Sequence, residues 1–155
     1  MPGPGVRRVV TGHNAAGRSV IAIDEVMSGE RFTVVWTTDK SPADNLDPAD
    51  GGARKVGLVQ PGGSVLRIGE MEPDRHSAMH RTHSVDYGIV LEGEIDMEVD
   101  DGATVHLQQG DVVVQRGTIH AWINRSDKPC KMAWILIHAE PIVISGRELT
   151  DGFVP

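Results

Sequence analysis

Apolar and polar positions alternate most strictly in Glu94–Asp100, EIDMEVD. Ile95, Met97 and Val99 take one parity, and Glu94, Asp96, Glu98 and Asp100 take the other. A two-residue period predicts a half-buried strand, with its acids on a solvated face. Asp101-Gly102 follows and predicts a hairpin turn. Further strands are predicted at Ser19–Val26, Arg31–Thr38, Ser64–Met71, Ala103–Leu107, Asp111–Gln115, Ile119–Asn124 and Lys131–His138. Turns fall at Met27–Glu30 and at Pro61–Gly63. Short strands at this spacing indicate a sandwich or barrel. Residues 1–18 read as an arm with loops, and Ile142–Pro155 as one short helix or an extended tail. The polar run Thr38–Arg54, rich in Asp, Pro and Gly, predicts a long surface loop. It has almost no apolar residues, so shortening it is expected to alter substrate use more than folding.

Composition agrees with an all-β chain. Val, Ile and Thr number 38 of 155 residues against 18 for Leu and Ala, and Gly and Pro add 27. Branched side chains suit a pleated surface and lose rotamer freedom in a helix. The net charge of −7 argues against a nucleic-acid partner, which requires a basic face. No apolar run long enough for a membrane helix is present, and the first ten residues lack a signal-peptide apolar core. With a single cysteine, Cys130, there is no internal disulfide. A soluble cytoplasmic protein is expected.

Seven histidines carry the candidate chemistry. His80 and His83 lie in MHRTHSVDYGIVLEGE, with Asp86 close behind, and His120 lies in GDVVVQRGTIHAWIN. His80, Asp86 and His120 share the parity that points side chains to one face, whereas His83 needs a bend to join them. Two imidazoles and one carboxylate would leave open positions on a metal. His13 and His76 fall in turns, and His106 reads as an exposed strand residue. Trp122 has the parity of His120, and His138 that of Met132, Trp134 and Leu136, so both are candidate pocket residues. Arg67, in mid-strand, is either exposed or an anchor for a carboxylate inside a barrel. Tyr87 faces away from Asp86, and Cys130 has no nearby base.

These motifs resemble the cupin superfamily. Its first motif, G-x5-H-x-H-x(3,4)-E-x6-G, is matched by His80, Asp86 at the carboxylate position and Gly93, with Thr82 where the second His stands. Its second motif, G-x5-P-x-G-x2-H-x3-N, is matched by Gly110, Gly117, His120 and Asn124, with Gln115 in place of Pro. The resemblance covers roughly residues 58–138 and implies a single-domain conical jelly-roll barrel. Residues 1–57 would pack on the barrel core of 58–140, leaving 141–155 as a C-terminal tail. N-terminal strands would serve a homodimer, whose contact covers exposed edges.

The resemblance also implies one divalent transition metal (Fe, Mn, Ni or Zn) held by His80, Asp86 and His120. His83 would be a fourth ligand or, with Asp86, a catalytic acid–base group. Arg67, Thr82, Trp122 and His138 would line the substrate pocket. The expected function is a metal-dependent enzyme acting on a small oxygenated organic molecule by Lewis-acid dehydration, decarboxylation or isomerisation. A non-haem iron dioxygenase and a non-catalytic ligand-binding cupin are the alternatives.

Overall fold

The computed structural model describes residues 5–27 and 31–153. Ser28–Glu30 of the expected Met27–Glu30 turn lie outside the described residues. The strands are β1 (Val6–His13), β2 (Ser19–Met27), β3 (Phe32–Thr38), β4 (Ser64–Met71), β5 (Arg75–His76), β6 (His80–Arg81), β7 (Ser84–Glu92) and β8 (Glu94–Glu98). They continue with β9 (Thr104–Gln108), β10 (Val112–Arg116), β11 (Ala121–Asn124), β12 (Cys130–His138), β13 (Val143–Ile144), β14 (Arg147–Glu148) and β15 (Gly152–Phe153). The helical elements among the described residues are two three-residue 3-10 turns, neither able to cross a membrane.

Two sheets face each other in a jelly roll: β10-β7-β12-β4-β3 and β5-β11-β8-β9. Their inward parities supply the core, including Val90, Ile95, Trp122, Met132, Trp134 and Leu136. The alternation seen in Glu94–Asp100 seats Ile95 at 1 % exposure and leaves the acids of β8 only partly covered. Asp101 and Gly102 take φ values of 59° and 72°, the left-handed turn that their dipeptide predicts. Gly88 makes room for Trp122, because a Cβ there would meet Val113 at 2.9 Å and the Trp122 ring at 3.4 Å.

Two expectations change, and one left open is decided. Residues 6–13, read as part of an arm, form β1 and pair with β2. The tail takes the extended alternative, with β13 pairing β14 and β15 pairing β6. The Thr38–Arg54 segment is structural. Its Asp50 holds the buried Arg8 of β1, and its Gly51 carbonyl accepts from Thr37 Oγ1 at 2.6 Å. Arg54 bridges Asp39 and Asp47 within it. Shortening it therefore removes ion pairs that tie the β1–β2 hairpin to the barrel.

Candidate active site

A cavity of about 480 Å³ opens between the sheets. His80 and His120 lie side by side in its wall, joined by reciprocal backbone hydrogen bonds of 3.0 Å. Their ring centroids are 4.3 Å apart. Each Nδ1 meets a backbone carbonyl at 2.9 Å, Ala78 for His80 and Thr118 for His120. A carbonyl only accepts, so each Nδ1 carries a proton, and in the neutral ring Nε2 keeps the lone pair. Burial pushes the His120 ring down to about 4, with its Thr118 bond opposing and His80 adding slightly.

That shift has a consequence for stability. Above pH 6.5, the ordinary value for His, both folded and unfolded chains carry a neutral ring. Below it the unfolded chain takes a proton that the folded chain refuses. Stability from this residue should fall as pH drops toward about 4, by about 3 kcal/mol in all. His120→Asn should flatten the dependence of Tm on pH across that window in chelator-treated protein. An unchanged slope would assign the acid lability to other groups.

Asp86 is 4 % exposed on the cavity wall. Ser84 Oγ donates to its Oδ1 at 2.5 Å, and Thr82 Oγ1 lies 3.5 Å from its Oδ2. Burial raises its pKa, while those two hydroxyls and the charge of His80 partly offset the rise. Trp122, Trp134, Phe32 and Phe153 also line the cavity, four of the six aromatic side chains in the sequence. They form a continuous run with the imidazoles. Centroids are 5.6 Å apart from Phe32 to Trp134, 6.2 Å from Trp134 to Trp122, and 6.0 Å from Trp122 to His120. Beyond His80, Phe153 follows at 5.3 Å.

The sequence profile of the cupin domain family matches residues 67–136. Phomopsin biosynthesis cluster protein D of Diaporthe leptostromiformis is 41 % identical over 157 residues, covering 92 % of this chain and 83 % of that protein. The chain belongs to the cupin domain family. The cupin-domain-containing oxidoreductase virC of Hypocrea virens is 35 % identical over 167 residues, 97 % of this chain and 86 % of its own. Among solved structures, a Cupin 2 conserved barrel domain protein from Salinispora arenicola aligns at a TM-score of 0.45 and 22 % identity. It covers 54 % of this chain and 70 % of that one.

Against the sequence expectations for this cupin, Arg67, Thr82, Asp86, His120, His80 and Trp122 all line the cavity. Arg67 takes the interior alternative. One guanidinium nitrogen donates to the carbonyls of Gly57 and Leu58, and its buried Nε has no partner. His83 and His138 do not join them. They line a separate cleft of about 330 Å³ with Asp151. His83 precedes β7 with the parity of Val85 and Tyr87, opposite to the buried Ser84 and Asp86. Its Nε2 faces Asp151 at 3.8 Å and Glu148 at 4.0 Å. His138 ends β12, and its Nδ1 accepts from the Gly62 N–H at 2.9 Å.

The expected metal triad is not gathered. Among the described residues no three His, Cys, Asp or Glu side chains form a group that holds a metal ion. The imidazoles are suitable donors, with Nδ1 fixed by carbonyls and Nε2 bare. Asp86 is one methylene shorter than the family's Glu, and its oxygens are engaged by Ser84 and Thr82. Two donors do not fit the three-ligand site of the resemblance.

Several site residues went unread in the sequence. Phe32 and Phe153 reach the cavity from strands distant in the chain. Gln115 stands at the motif's Pro position, and its inward parity, shared with Val113, is the signal that places it on the cavity wall. Cys130 is fully buried, and its thiol is pushed up to about 11 by that burial, so it supplies no nucleophile.

Proposed function

We propose that this cupin is a small-molecule enzyme that binds a flat, conjugated, oxygenated compound and moves protons on it, in a dehydration, decarboxylation or isomerisation. The observation that carries the reading is the aromatic run from Phe32 to Phe153, interrupted only by two imidazoles with free Nε2 atoms. Such a wall accepts a π-system face on or edge on. His120 stays neutral near pH 7, so its Nε2 is available as a base. Asp86, with its pKa raised by burial, is suited to hold or return a proton. Arg67 offers an unpartnered N–H to an anionic group of the substrate.

The test uses an enolisable probe. The chain should accelerate exchange of the α-protons of 2-tetralone in D2O, followed by NMR. A rate no faster than that of the Asp86→Asn, His120→Asn double variant would overturn the proposal.

A second reading is metal-dependent oxidation or Lewis-acid chemistry: the Hypocrea virens relative is called an oxidoreductase, which favours oxidation, and the bare Nε2 pair offers two donors to a metal. It requires a third donor beyond His80 and His120. Elemental analysis of purified protein decides it. About one Fe, Mn, Ni or Zn per chain, lost in His120→Ala, is the expected result on this reading. Oxygen uptake would then single out the dioxygenase form, and absence of metal together with no uptake of any of the four would remove both. A homodimer through the β1–β2 hairpin is proposed as well, supported by its exposed Val9, Ile21 and Val26. Sedimentation of the chain as a monomer at micromolar concentration would count against it.

A further inference from the structure

Gln115 lines the cavity at 2 % exposure. Its Nε2 donates to the thioether of Met97 at 3.2 Å, a weak acceptor. Its Oε1 is buried and has no partner. A buried amide oxygen without a donor is costly, and one on a cavity wall is satisfied by what enters the cavity. The register sets Gln115 directly opposite Asp86, with Leu136 next in the row. Two residues along the strands a parallel row runs through Gly88, Trp134 and Arg67. Arg67 Nε is the other buried side-chain polar atom without a partner among the described residues. From β10 to β4 the sheet crosses three strand spacings, roughly 14 Å of backbone before the two long side chains reach inward. The cavity thus has an acceptor at one end, a cation at the other and tryptophans between.

We infer that Gln115 Oε1 accepts a hydrogen bond from a substrate hydroxyl and so holds that hydroxyl beside Asp86, while the Arg67 guanidinium takes an anionic group at the far end. The ligand class is a hydroxyarene carboxylate, or its enol equivalent, of about two fused rings. The inference rests on the aromatic-cavity reading above. Gln115 acts as a positioning and specificity residue, because it sets which oxygen faces the acid–base group.

The test compares 6-hydroxy-2-naphthoate, 6-methoxy-2-naphthoate and 2-naphthoate by calorimetric titration. Wild type should bind the hydroxy compound about tenfold tighter than the other two, since only it can donate to Oε1. In Gln115→Met the three affinities should converge. Arg67→Met should weaken all three alike and keep their ratio. Equal affinities in wild type, or a preference that persists in Gln115→Met, would overturn the role of Gln115 and leave the aromatic-cavity reading standing. If wild type binds none of the three, that reading falls and this inference with it. Should Gln115→Met not fold, the wild-type ratio decides alone.

Discussion

Replacement of Asp86 by Asn should slow the catalysed exchange of 2-tetralone protons by about 10²-fold or more, the scale of removing a positioned acid–base group. Asn keeps the shape: its one carbonyl oxygen can still accept from Ser84, and its amide N–H can donate to the Thr82 hydroxyl oxygen, so the cavity wall should stay in place. Burial disfavours the ionised carboxylate, which lifts the pKa. The folded chain therefore holds the Asp86 proton better than the unfolded chain. As pH rises above the ordinary value of 3.8, folding must either retain that proton or bury a charge, and the stability from this residue falls until the folded value is passed. Asp86→Asn should accordingly show a Tm at pH 7 equal to or above that of wild type. Low turnover with an intact or raised Tm identifies a chemical role. Low turnover with a lowered Tm identifies a structural one, and unchanged exchange removes Asp86 from the chemistry.

Asp50→Ala should destabilise the chain by about 3 kcal/mol, the lower range for breaking a buried ion pair. The Arg8 side chain is 3 % exposed, and its guanidinium meets both oxygens of Asp50 at 2.6 Å. Glu25 on β2 supplies the second carboxylate, at 2.5 Å. Asp50 raises the Arg8 pKa further and has its own lowered in return, so both stay charged across the working range. Without Asp50 a buried cation is left half compensated. For a chain of this length the loss corresponds to a fall in Tm of roughly 10 °C. Arg8→Met combined with Asp50→Ala should cost less than the sum of the single changes, because the second removes the charge that the first stranded. An Asp50→Ala protein with unchanged Tm would show that Glu25 alone satisfies Arg8.

Local periodicity determined a large part of this architecture. The alternation in Glu94–Asp100, the Asp-Gly turn after it and the bounds of Ser64–Met71 are written in adjacent residues, because a strand exposes its two faces at every second position. His80, Asp86 and His120 were legible as cavity residues for the same reason, helped by the resemblance of their motifs to the cupin pattern. The failures share a cause. β1 did not read as a strand because one of its buried positions is Arg8, a charge whose burial makes sense only beside Glu25 and Asp50 from other segments.

Asp86, expected beside the two imidazoles in a metal site, turns its oxygens to Ser84 and Thr82, both within four residues of it in the chain. Gln115 gained its meaning from the strand register that puts it opposite Asp86 and leaves its oxygen unpaired. The aromatic run joins residues 32, 122, 134 and 153, which no window of sequence contains. Parity along one strand is a property of neighbouring residues. Which side chains meet across a cavity depends on register, twist and sheet closure, and these are set only when the whole chain packs.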